Sequence, residues 1–173
     1  MADFTATIDT SEVDAFNRAM PREIFNATRS AVRTTTTFAE KELEKRMAEA
    51  SKIPLKTFKV HRVLSKSSDE SGKIWFGLKP IKARFAGALS EEVDGASAGS
   101  YFFRKAFVAK IGNAPENIFK RKSKARFPLV TQIVELPEAI QISADVSVLA
   151  EQELLTRFTK KLNGYIEKRE SAQ

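Results

Sequence analysis

Hydrophobic positions along the chain change period, from helical spacing in its first third to strand alternation in the middle and back to helical spacing at the end. Phe4, Ala6 and Ile8 alternate with Thr5 and Thr7, which predicts a short half-buried strand. Thr10 or Ser11 can cap a short helix through Met20, with Glu12 and Asp14 at its positive end. Pro21 lacks an amide hydrogen and suits the first position of the next helix. From there to about Ser51, Phe25, Thr28, Val32, Thr35, Ala39, Leu43 and Met47 recur every three or four residues with charged residues between them. This spacing predicts one long amphipathic helix, roughly 45 Å from end to end. Its weak point is the run Thr34–Thr37, where branched side chains lose rotamer freedom and hydroxyls compete for backbone bonds. Pro54 ends or restarts the helix, and PLKTFKVHRV offers Leu55, Phe58 and Arg62 or Val63 to a shorter basic one.

The segment SKSSDESG, from Ser65 to Gly72, predicts a loop, since it is polar and has no apolar anchor. KIWFGLK alternates Ile74, Phe76 and Leu78 against Lys73, Trp75 and Lys79, a strand closed by Pro80. Small and acidic residues from Ala86 to Ser100 predict a mobile, loosely packed loop. YFFRKAFVAKI and NIFKRKSKARFPLVTQIVEL then predict strands joined by a hairpin around Asn113 to Asn117, with Pro128 and Pro137 limiting the last strands to edges or breaks. Val148, Leu155, Phe158, Leu162, Tyr165 and Ile166 predict a C-terminal helix. The expected fold class is α+β: a long N-terminal amphipathic helix, a small mainly antiparallel sheet and a C-terminal helix packed on it. It would form one domain over residues 1–173, with a strand and helices in 1–64 and the sheet and C-terminal helix in 73–173.

Composition narrows the chemistry. A chain with 13 Phe and 42% apolar residues can build a core, which excludes a disordered polymer. No cysteine is present, so disulfides, thiolate metal sites and thiol nucleophiles are excluded. His61, the lone imidazole, sits between basic residues without a carboxylate at ligand spacing, and Glu42/Glu44, Glu91/Glu92 and Glu151/Glu153 read as solvated faces. With no phosphate-cradling glycine loop, nucleophile elbow or zinc signature, neither enzyme activity nor a cofactor or metal is expected. The N-terminal residues form no long apolar stretch, so assembly in the cytoplasm is expected, with no membrane partner.

The net charge of +7 points to an acidic partner. Its strongest concentration is Lys120, Arg121, Lys122, Lys124 and Arg126, flanked by Phe119 and Phe127. Such a cluster can neutralise phosphates without reading sequence; equally, it can guard a hairpin edge against strand pairing or dock on an acidic protein. Lys41, Lys45, Arg46, Lys52, Lys56 and Lys59 read as solvated helix faces. Phe102, Phe103 and Phe107 read as core, but neighbours in a strand face opposite ways, so Phe102 is a candidate subunit contact. Phe25, Val32, Phe38 and Leu43 on the long helix are the others.

Five stretches together resemble the prophage minor tail protein Z family, the tail completion proteins of lambda-like long-tailed phages. They are MPREIFNATRSAVRTTTTFAEKELEKRM, KIPLKTFKVHRV, KIWFGLKPI, YFFRKAFVAKI with its Ala106–Phe107 pair, and IFKRKSKARFPLVTQIVELPEAI, and they cover most of the chain. The last two are the most specific. Two positions depart from the family pattern: Arg104 and Lys105 stand where a Pro-Gly pair is expected, and Lys122 and Ser123 where turns more often carry glycine. The resemblance implies a non-catalytic virion protein at the head-proximal end of the tail, completing it for head–tail joining and placement of the DNA end. The implied partners are further copies in a hexameric ring, tail terminator or tail tube proteins, head–tail connector proteins and the phage DNA end. Sequence-independent nucleic-acid binding is the alternative.

Overall fold

The computed structural model describes residues 4–5, 21–61, 63–136 and 138–171. The short helix expected before Met20 lies outside them, as does the first strand beyond Thr5. The class is α+β, with long helices at both ends of the described chain and antiparallel strands between them. Two compact units are built from interleaved segments, the first from residues 1–43, 63–76 and 140–173 and the second from 44–62 and 77–139. This division crosses the expected boundary near residues 64–73.

Helix α1 runs over Pro21–Ser51, opening at the proline with Glu23 in its first turn. The threonine run does not break it. Thr34, Thr36 and Thr37 hydroxyls donate to the carbonyls of Ser30, Val32 and Arg33, four residues back, at 2.8, 2.8 and 3.1 Å, which satisfies them within the helix. Thr35 is fully buried and its hydroxyl has no partner among the described residues. Lys52 ends the helix in the left-handed conformation, φ 53°, and Pro54 precedes α2 (Leu55–His61).

In the first unit, β2 (Val63–Ser67) and β3 (Gly72–Phe76) form a hairpin running from Val63 opposite Phe76 to Ser67 opposite Gly72. This corrects the expected loop. Strand β2 is an edge strand exposed over most of its length, so it carries little apolar signal, and Ser68 and Ser71 close the turn through backbone and hydroxyl bonds. On the far side of β3, β1 (Phe4–Thr5) pairs Phe4 with Phe76. Gly72 permits a close helix–sheet approach, since a Cβ there would fall 2.0 Å from Thr36 Oγ1. Arg29 Nε approaches Asp69 Oδ1 to 2.7 Å, as an ion pair whose geometry is too poor for a hydrogen bond.

Helix α3 (Ala139–Glu170) packs on α1, where Leu154 and Phe158 meet Ala31 and Val32. A mostly apolar cavity of about 40 Å³ lies among Ala39 and Leu43 of α1, Phe76 of β3, and Val146 and Ala150 of α3, so all three elements share one interior. The packing line of α3 is Ser143, Val146, Ala150 and Leu154. Of the expected stripe, Phe158, Leu162, Tyr165 and Ile166 are half-buried, whereas Val148 and Leu155 are exposed, the latter at 67%. Ser143 and Ala150 on the contact face allow close approach beside the larger Val146, Leu154 and Phe158.

The second unit contains β4 (Ile81–Lys82), a 3-10 turn (Ala83–Phe85), β5 (Leu89–Glu92), β6 (Gly95–Ala98), β7 (Tyr101–Arg104), β8 (Ala106–Ala109), β9 (Asn117–Arg121), β10 (Leu129–Thr131) and β11 (Ile133–Val134). The hydrogen-bonded orders are β5-β6-β7, β10-β9-β8 and β11-β4. The supposed loose loop from Ala86 to Ser100 therefore holds a hairpin. Ala96 and Ala98 are fully buried, and a Cβ on Gly95 would lie 2.2 Å from the Phe103 carbonyl oxygen, so the small residues allow close packing rather than mobility. Phe58, Ile53, Ile81 and Ile118 form the interior. Phe103 and Phe107, read as core, are half-buried rather than fully buried, and Phe102 is exposed. The Asn117 carboxamide oxygen accepts from the amides of Arg84 and Ile118 at 3.1 and 2.9 Å, tying the 3-10 turn to β9. The expected hairpin around residues 113–117 is present as the β8–β9 pair.

Candidate interaction site

Strand β9 is the middle strand of its sheet, with Lys120 opposite both Ala106 of β8 and Val130 of β10. A central strand with ladder bonds on both sides is a firm base, and the chain turns back beyond it. The Lys122 amide donates to the Pro128 carbonyl at 3.3 Å and the Ala125 amide to Ser123 Oγ at 3.2 Å, giving the tip a defined base and inner turn. Asn117 and Ile118 of β9 point inward and are buried, whereas every residue from Lys120 to Pro128 is exposed.

This geometry brings the five basic residues together on one tip, as the spacing predicts. Alternation along β9 sends Lys120 and Arg121 to opposite faces. The Arg121 guanidinium lies 5.7 Å from the Phe107 ring centre, and that of Arg126 lies 5.8 Å from the ring of Phe127, which is 62% exposed. Both distances fit cation–π contact. Among the described residues, none of the five has a carboxylate at ion-pair distance. The tip therefore presents uncompensated positive charge with planar apolar surface beside it, a combination able to bind phosphates or an acidic protein face.

The candidate subunit contacts divide. Phe25 and Phe102 present surface, being 38% and 51% exposed. Phe38 is half-buried, with the Arg157 guanidinium 5.5 Å from its ring centre. Val32 and Leu43 are corrected: both are buried in the chain's own interior, Val32 beside Leu154 of α3, so neither has surface to offer a second subunit.

A second feature escaped the sequence. The Tyr101 hydroxyl donates to the Ser51 carbonyl at the end of α1, fifty residues away along the chain. Beside this bond is a cavity of about 390 Å³ with Met47, Ala50, Ile133 and Leu136 as its apolar lining and Glu135 and Glu138 as its carboxylates. Burial raises the Tyr101 phenol above its usual pKa of 10.0, and the charge of Glu138 adds to the rise. No local motif marks this site, because three distant segments assemble it.

Among the described residues, no group of three His, Asp or Glu side chains is placed to hold a metal ion. No helix among them is long and apolar enough to cross a membrane. No family model matches the chain, and neither the curated proteins nor the solved structures contain a match.

Proposed function

We propose that this chain is a structural virion protein at the head-proximal end of a phage or prophage tail, where it completes the tail for head–tail joining and placement of the DNA end. It works by assembly, and the β9–β10 tip is its contact. The observation that carries this reading is the exposed set Lys120, Arg121, Lys122, Lys124 and Arg126 on a sheet-supported hairpin, without carboxylate partners among the described residues. The resemblance of the strands around this hairpin to tail completion proteins supplies the setting. Reversing Lys122 and Lys124 to glutamate should leave the fold intact and abolish production of joined particles. Normal joining and DNA placement by the folded variant would refute the assignment of the tip.

The exposed Phe127 beside Arg126 favours a second reading, sequence-independent binding of nucleic acid. If all five cations meet phosphates, the logarithm of duplex affinity should fall against the logarithm of salt concentration with a slope of about −4.5. A slope near zero would exclude that reading.

A further inference from the structure

The geometry points to the Tyr101 cavity of a second copy of this chain as the receptor for the basic β9–β10 tip, so that copies join head to tail. This deepens the assembly reading of the tip, on which it rests, by naming its partner. The chain as a whole is strongly basic, with a net charge of +7, yet the cavity is electronegative. Glu135 and Glu138 are exposed beside it and, among the described residues, neither has a cationic ion-pair partner. The carbonyl end of α1, a helix of 31 residues whose last turn carries no basic residue, adds partial negative charge, offset in part by Lys52, the residue that follows. Tyr101 adds an aromatic face beside an apolar lining that includes the 47% exposed Ile133.

The tip matches these features one by one. Arg126 offers a planar cation to the carboxylates, and Phe127, beside it, offers a ring to Met47 and Ile133. A cavity of about 390 Å³ has room for one such pair of side chains. In the same chain neither Arg126 nor Phe127 lines the cavity, so the tip does not occupy its own receptor. Each copy then carries one tip and one receptor. A contact of this kind is heterologous, and repeated copies close into a ring or extend as a filament according to the rotation between them.

The test is sedimentation of the purified full chain across concentration and salt, with circular dichroism to confirm folding of each variant. Self-association should weaken at least tenfold in Arg126→Glu and in Glu138→Arg, and recover in the double variant R126E/E138R. The absence of cysteine gives a second readout. A Ser123→Cys chain mixed with an Ile133→Cys chain should form a disulfide-linked heterodimer on oxidation, whereas Leu64→Cys in place of Ile133→Cys should not. Association unchanged by either single reversal, no recovery in the double variant, or no specific cross-link would overturn the proposal. So would binding of the tip to free duplex by a chain that does not self-associate. Imaging of tails separates this from the functional reading: rings joined through other contacts would sink the docking alone, and head-to-tail association in a protein missing from tails would sink the function alone.

Discussion

The α1–α3 interface and the β9–β10 hairpin treat conspicuous residues in opposite ways. Along α1, the apolar stripe is closed by the chain itself, with Val32 and Leu43 covered and Leu154 and Phe158 supplied from α3. At the hairpin, cations and an aromatic ring project from a well-paired strand and meet no acidic neighbour among the described residues. The first arrangement stabilises the fold, whereas the cations of the second make no ion pair that would add to it. The strong apolar pattern of α1 is therefore spent inside the chain, and the charged tip is the region left without partners among the described residues.

Substitutions should separate the two regions by their effect on stability. Val32→Asp would put an unpaired carboxylate into the helix interface and should cost about 3–5 kcal/mol, read as a large fall in the denaturation midpoint. A variant of near wild-type stability would show that the helix contact is open. Gly95→Ala should cost about 1–3 kcal/mol by forcing β6 away from the Phe103 carbonyl, while Gly164→Ala, with open space at its Cβ, should stabilise α3 by up to about 1 kcal/mol. Equal effects at these two glycines would contradict the packing described.

Tyr101→Phe should cost about 0.5–1.5 kcal/mol through loss of the bond to Ser51. The pH dependence has a definite sign. The phenol's folded pKa is raised above 10.0, so its contribution to stability is complete below about pH 10 and is lost as pH rises through the folded value. Denaturation measured against pH should show an alkaline loss that the phenylalanine variant lacks. Identical alkaline limbs would remove Tyr101 as its source.

How much was legible in the sequence follows from the same physics. Helix α1 was readable because proline fixes its start and its buried residues repeat at helical spacing. The hairpin tip was readable because its five cations fall within seven residues. The β2–β3 and β5–β6 hairpins were not, since serines on an edge strand and alanines beside Gly95 carry almost no hydrophobic contrast, yet register and close backbone approach define both. The face of α3 was legible only in its second half, where Phe158 packs on α1; in the first half Ser143 and Ala150 are buried while the larger Val148 and Leu155 are exposed. Lys105 is a different case. It adopts φ 58° between β7 and β8, where glycine would be less strained, so nothing in the residue type marks the turn. The Tyr101 cavity left no trace because Ser51, Tyr101 and Glu138 meet only after folding.

The most direct test of the functional account is electron cryomicroscopy of particles assembled with this protein and, in parallel, with its Lys122→Glu/Lys124→Glu variant. The account predicts a ring at the head-proximal end of the tail, with the β9–β10 tip in contact, and tails lacking the ring and unjoined to heads when the tip is reversed. Tails that are complete and joined without this chain, or that carry the reversed variant in an unchanged ring, would contradict it.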